Sequence, residues 1–231
     1  ELQINLSNLE NNLKVIKSIT SSEIQAVIKA NAYGLDINEV CEAIEDHVES
    51  FAVITVDEAR NLRKITKKPI LILQGIHEIT DYHEIKNSDL DFVIHSDWQL
   101  DNIPNINFPN NRAWLKINTG MNRLGFNPEE FLEKYQKLTD KKFKDLVIMS
   151  HLASSSEKSD PKNKEQIELF TNLTKDISNK KSLANSGAIF NFIESHFDIV
   201  RPGIAIYGGK YLEYGIKPVT CLRSKITMLK N

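Results

Sequence analysis

Apolar residues return along this chain in two rhythms. Leu6, Leu9, Leu13, Ile16 and Ile19 recur at spacings of three and four, so they share one face of a helix. Ser7 followed by Glu10 has the spacing of a capping box and marks the expected start of that helix. Short continuous apolar runs then take over: Ile24 to Ile28, Phe51 to Ile54, Ile70 to Leu73, Phe92 to Ile94, Ala113 to Ile117, Leu146 to Met149, Ser182 to Ala184, and Ile199 to Val200. Runs of this length without polar alternation predict strands buried on both faces. Between them, "NPEEFLEKYQKL" (127–138) and "KEQIELFTNLTKDI" (164–177) carry one apolar face at helical spacing and predict outer helices.

Strands alternating with helices must pair in parallel, because a parallel return needs a crossover. Eight such units in roughly 200 residues predict a (β/α)8 TIM barrel over residues 1–212. The competing open doubly wound sheet lacks its Gly-rich dinucleotide fingerprint after the first strand. Past Gly209 the rhythm changes. In "KPVTCLRSKITMLKN", Val219, Leu222, Ile226 and Met228 predict strands of another unit, so residues 213–231 read as the beginning of a truncated C-terminal β-rich domain. Glu1 stands first rather than Met, and the natural start is expected upstream.

Composition removes several function classes. The 231 residues are 41% hydrophobic with a net charge of −2, and no basic block offers a stripe for nucleic-acid phosphates. The local cluster Lys64, Lys67 and Lys68 reads as the solvated end of a helix. The two cysteines, Cys41 and Cys221, lie far apart without metal-ligand spacing, which predicts neither disulfide nor metal site and fits a reducing cytoplasm. No apolar stretch approaches the roughly 20 residues a membrane helix needs.

The chemistry gathers where the strands end, the rim at which barrels place their sites. The first run delivers Lys29 and Tyr33; the fifth contains Lys116 and leads into "NTGMNRLGF" with Arg123. The sixth gives Ser150 and His151, the seventh Asn185, Ser186 and Gly187, and the eighth Arg201, Gly203 and Ile204. Loops after the last two strands commonly bind phosphate through backbone N–H groups. Here Ser186, with the approachable backbones of Gly187 and Gly203 and the Tyr33 hydroxyl, makes a candidate phosphate cradle; the alternative for that segment is a plain turn with Ser186 as the N-cap of the following helix. A phosphate anchor beside a strand-end lysine points to pyridoxal 5'-phosphate, which needs a lysine amine and a polar partner for its ring nitrogen. An arginine in that partner position, Arg201, cannot surrender its proton at neutral pH and leaves the ring nitrogen unprotonated.

At this point the sequence resembles the alanine racemase family. "AVIKANAYG", "WLKINTGMNRLGF", "SHLASS", "LANSGAIF" and "VRPGIAIYG" are similar to that family's blocks, in its order, over residues 1 to 209. The resemblance implies a pyridoxal-phosphate barrel followed by a β-rich domain, L- and D-alanine as substrates, a head-to-tail homodimer, and a role in peptidoglycan precursor supply. It implies that Lys29 holds the cofactor and acts as one catalytic base. Tyr33, Ser186, Gly203, Ile204 and Tyr207 are implied at or around the phosphate, with Asn185 beside them. Arg201 is implied at the ring nitrogen, and His151 against the ring, supporting that arginine. Arg123 is implied near the substrate carboxylate, and Lys116 at a position carbamylated in several members. The second base is implied to be a tyrosine of the partner's C-terminal domain. Two departures stand out: Asn118 where many members have Asp, and Ser182 where many have His. Two further readings remain open at the level of sequence: a single-domain, non-catalytic pyridoxal-phosphate carrier, and a racemase of another small amino acid such as serine.

Overall fold

The computed structural model describes residues 1–228. Its strands are β1 (Leu2–Ile4), β2 (Glu23–Val27), β3 (Ser50–Val53), β4 (Ile70–Ile72), β5 (Asp91–Ile94), β6 (Phe108–Lys116), β7 (Phe143–Met149), β8 (Lys181–Ser182), β9 (Ile199–Val200) and β10 (Thr220–Leu222). Strands β2 to β9 form one eight-stranded sheet in the order β8-β7-β6-β5-β4-β3-β2-β9, every pair parallel. The free edges meet: Asp198 N donates to Lys181 O at 3.1 Å and Arg201 N to Ala184 O at 2.9 Å. The sheet is therefore a nearly closed barrel, as the alternation of elements predicts.

Side-chain alternation explains the continuous apolar runs. Val27, Ala52, Leu71, Val93, Trp114, Val147, Met149 and Ile199 form one buried cluster, one or two from each of seven neighbouring-strand positions around the barrel interior. Their sequence neighbours Ala26, Phe51, Ile70, Phe92 and Leu115 belong to a second cluster that includes Leu9, Leu13 and Ile16 of the helix Leu6–Ile19, the layer between sheet and helices. Both faces are apolar because both are covered, each fully buried large side chain contributing roughly 1.5–3 kcal/mol. On β6, Arg112, Trp114 and Lys116 share the inward face by the two-residue repeat. Arg112 closes the lower end, with Nη2 2.7 Å from Asp91 Oδ2. Lys116, two positions above Trp114, reaches the mouth.

The structure departs from the sequence pattern in several places. The first helix is capped at Asn5, and Ser7 lies inside it, its hydroxyl donating to Asn5 Oδ1 at 2.7 Å. The cause is tertiary: β1 pairs antiparallel with β10, and Asn5 N donates to Val219 O at 2.8 Å, so the chain turns into the helix two residues earlier. The seventh run begins at Lys181 and ends at Ser182, and the outer helices occupy Phe131–Thr139 and Lys162–Thr174. Lys68 is not purely solvated, since its ammonium donates to Val48 O. In the 213–231 segment Thr220–Leu222 is a strand, whereas Ile226 and Met228 are exposed and outside any strand; residues 229–231 lie outside the described residues. Among the described residues no helix is long and apolar enough to cross a membrane.

Candidate active site at the barrel mouth

The lysine at the end of the first barrel strand opens an unusual turn. Ala30, Asn31, Ala32 and Tyr33 all have left-handed backbone angles, from φ 52, ψ 53 at Ala30 to φ 56, ψ 30 at Tyr33. L-residues in this region cost roughly 1–2 kcal/mol each, so the turn persists only because its surroundings fix it. Ala30 N donates to Glu58 Oε1 at 2.8 Å, Ala32 N to Ile28 O at 3.0 Å, and Ile37 N to Asn31 Oδ1 at 2.9 Å. The reversal lays the Tyr33 ring on Tyr207, with centroids 4.5 Å apart. It also brings the Tyr33 hydroxyl against Gly203, where any Cβ would come within 2.6 Å of it.

Opposite stands the anion cradle. The short helix Ser186–Asn191 is capped by Asn185, whose Oδ1 accepts from Ala188 N at 3.3 Å. Ser186, released from the capping role, accepts from Gly203 N at 2.9 Å and from Ala205 N at 3.2 Å. One hydroxyl and two amides thus converge beside the Tyr33 phenol. The opposite amide-lined side is held close by Gly187, where a Cβ would sit 2.6 Å from the Ser155 carbonyl carbon. Backbone cannot yield as a flexible side chain does, so Gly187→Ala is expected to destabilise by about 1–3 kcal/mol. Thermal melts should show a fall of about 5 °C.

Arg201 is 3% exposed and donates to Ser182 Oγ, to Ser150 O at 2.6 Å and to Leu183 O at 3.3 Å. Burial lowers its pKa to about 10, which leaves it cationic at neutral pH. Ser182 in turn donates to Ile199 O at 2.6 Å. The support expected of His151 therefore comes from Ser182 and main-chain carbonyls, because a serine hydroxyl both accepts from the guanidinium and satisfies its own proton. His151 turns the other way: its Nε2 faces Asn185 Nδ2 at 3.2 Å, so it accepts there, and the ring proton is assigned to Nδ1. Burial first, then Arg201, Lys116, Arg123 and Lys29, hold its pKa well below the usual imidazole value, and the ring is neutral.

Lys116 is 6% exposed, and its pKa falls to about 8, through burial first and then the charges of Arg201, Arg123 and Lys29. Arg123 arrives on a loop pinched at its base, where Asn118 N donates to Phe126 O at 2.8 Å and Phe126 N to Lys116 O at 2.9 Å. Asn118 Oδ1 accepts from Gly120 N at 3.2 Å and Asn122 N at 2.9 Å, so asparagine serves the turn where the sequence departs from the resemblance. The Lys29 ammonium is likewise weakened, by burial and by Arg123, against the opposing charge of Glu58.

These groups line one cavity of about 480 Å³, with Lys29, Lys116, Arg123 and Arg201 all on its wall. Tyr33, His151, Asn185, Ser186, Gly203 and Ile204 line it too. Tyr207 does not: it lies behind Tyr33, its hydroxyl donating to Val27 O at 3.2 Å, and so backs the cradle rather than facing it. Sequence reasoning missed Gln74, Leu124, Ser155, Ser156 and Tyr211 on the wall. Gln74 was within reach, as the polar residue directly after the third run, whereas Tyr211 carries no local signal. Among the described residues no group of acidic, His and Cys side chains is arranged to hold a metal ion.

Comparison with known proteins places this geometry in context. Residues 4–211 match the family model of the alanine racemase N-terminal domain. The alanine racemase of Vesicomyosocius okutanii is 38% identical over 99% of this chain, which spans 66% of that protein's length. The crystal structure of the biosynthetic alanine racemase from Pseudomonas aeruginosa superposes with a TM-score of 0.89 at 31% identity, over 95% of this chain and 64% of that one. The alanine racemase of Bartonella henselae, solved with covalently bound pyridoxal phosphate, gives a TM-score of 0.84 at 26% identity, over 95% of this chain and 67% of its own. A barrel, a rim and a family model that coincide over nearly the whole sequence leave one assignment: this chain belongs to the alanine racemase family, in the part that forms its N-terminal domain.

Proposed function

We propose that the chain is the cofactor-bearing barrel of a pyridoxal-phosphate-dependent racemase that interconverts L- and D-alanine for peptidoglycan precursors, as a cytoplasmic homodimer. Residues 1–212 are the catalytic barrel, and residue 213 begins the C-terminal β-rich domain. The observation that carries this reading is the pairing, in one cavity, of a weakened Lys29 ammonium with the Ser186–Gly203 cradle.

The residues fit the cofactor. Lys29 would hold it covalently, and Tyr33, Ser186 and the backbone at Gly203 and Ile204 would surround its phosphate, where Gly203 leaves no Cβ to fill the space. Arg201 would face the ring nitrogen, and neutral His151 would pack on the ring with its tautomer set by Asn185. Once bound, pyridoxal phosphate supplies an electron sink for the bond broken at the substrate Cα. The chain's own residues do the rest. Arg123 draws in the substrate carboxylate with a charge-assisted fork. The Lys29 amine, deprotonated more readily than an exposed lysine, takes or returns a proton on one face of Cα. Arg201, held by the Ser182 hydroxyl and the carbonyls of Ser150 and Leu183, keeps its charge at neutral pH. The opposite face needs a second proton donor, which we assign to the partner subunit.

A Lys116 carbamate would put a negative group beside Arg123 and orient it, a modification that the low basicity of this amine favours. The test is isotope exchange. With cofactor, the chain alone should wash deuterium from heavy water into the Cα of one alanine enantiomer, read by mass spectrometry, without racemising it. Exchange with neither enantiomer would sink the assignment of Lys29; full racemisation would place the second base inside the barrel.

A further inference from the structure

Glu58 lies outside the cavity wall, yet it reaches the turn that carries the lysine. It sits in the first turn of the helix Val56–Arg63, where its N–H donates to the capping hydroxyl of Thr55 at 3.2 Å. In a usual capping box the glutamate returns to the N–H of the cap residue itself. This one goes further. Its Oε2 accepts from Ile54 N at 2.7 Å, just past the end of β3, and its Oε1 accepts from Ala30 N at 2.8 Å, the first left-handed residue after Lys29.

We propose that Glu58 is a positioning residue for Lys29, a carboxylate clamp that ties the strained turn to the neighbouring strand and presents the lysine with a negative charge. The functional consequence rests on Lys29 being the cofactor lysine. Three observations support the clamp. The left-handed run needs an external constraint, and the amide at its first residue is the point at which a constraint sets the direction of the lysine. Both carboxylate oxygens accept from N–H groups, which only the ionised acid does without conflict, since a glutamine would set its own NH2 against one of them. The other charge that acts on Lys29 is positive: Arg123 lowers its basicity. Glu58 is the opposing acid.

The experiment follows the pH dependence of Lys29 acetylation in the cofactor-free chain by peptide mass spectrometry, in wild type, Glu58→Gln, Glu58→Asp and Thr55→Val. Acetylation requires the neutral amine, so loss of the negative charge should move the midpoint to lower pH, by about half a unit or more in Glu58→Gln. Thr55→Val weakens the same helix without removing the charge; it should lower the melting temperature and leave the midpoint in place. Glu58→Asp keeps the charge with a shorter reach and should hold the midpoint near wild type, which also serves if Glu58→Gln fails to fold. An unmoved midpoint in Glu58→Gln, a shift in Glu58→Asp as large as that expected of the glutamine, or an equal shift in Thr55→Val would overturn the proposal. Borohydride trapping of pyridoxal phosphate on wild type is read separately. No trapping alongside a shifted Glu58→Gln midpoint would refute the cofactor reading and leave the clamp intact.

Discussion

Titrating the Lys29→Ala chain with pyridoxal phosphate is expected to give no visible band of a lysine-bound cofactor and no borohydride-trapped adduct, whereas wild type gives both. The cavity holds two lysines, so the result is not trivial. Lys116 is the more weakened amine, at about 8. Basicity alone would choose it. Position in the chain chooses Lys29, because it opens the left-handed turn whose Tyr33 hydroxyl meets Gly203 of the cradle. Lys116 ends β6 instead, and feels the charges of Arg201 and Arg123. Isotope exchange at the alanine Cα should fall at least about 10²–10⁴-fold in Lys29→Ala, the usual worth of a positioned acid–base group. Retained trapping at Lys116 would mean that the cofactor sits across the mouth from the place assigned here.

Lys116→Met is expected to raise stability at pH 7 by up to about 3 kcal/mol in bicarbonate-free buffer, and the gain should vanish near pH 10.5. The folded-state pKa falls from 10.5 to about 8, so the folded protein disfavours the ammonium. Below pH 8 the charge is present in both states and its full burial cost is borne by the folded one. Between 8 and 10.5 the unfolded chain binds more protons, so stability rises with pH; above 10.5 both amines are neutral. A shift of about 2.5 units corresponds to about 3 kcal/mol. Denaturant melts across this window should therefore slope upward for wild type and lie flatter for Lys116→Met. Bicarbonate adds a second reading. The neutral amine attacks CO2, a nitrogen–carbon bond forms, and a proton is released, leaving an anion beside Arg123. Added bicarbonate should raise the wild-type melting temperature and leave the methionine variant unmoved, with the carbamate carbon visible by carbon-13 resonance. Parallel pH curves for the two proteins would show that Lys116 is solvated in solution.

Much of the site is legible in the chain because a barrel turns position along a strand into position in space. Lys29, Lys116, His151 and Arg201 each follow or end an apolar run, and parallel pairing brings all such ends to one rim. Ser186 and Gly203 are readable for the same reason. The capping assignments were not. Asn5 takes the N-cap position where Ser7 was the visible candidate, without a side-chain cap bond, and Asn185 caps the helix at which Ser186 was the candidate. The β1–β10 pairing and the His151 contact decide where each chain segment turns. Tyr207 is a similar case, since only packing shows that Tyr33 stands in front of it.

The sequence by itself determined the layers, eight strands buried on both faces with helices outside them, and the chemical groups that crown the strands. Which side chains face the axis and which the helices was decided by the closed sheet, because a run apolar on both faces carries no alternation. Tertiary structure alone decided the left-handed path of Ala30 to Tyr33, the clamp from Glu58, and the transfer of the Arg201 contact to Ser182. No local propensity favours four consecutive left-handed L-residues. They exist because the Glu58 hydrogen bond and the stack of Tyr33 on Tyr207, both from parts of the chain distant in sequence, outweigh a local cost that a short peptide of the same sequence would relax.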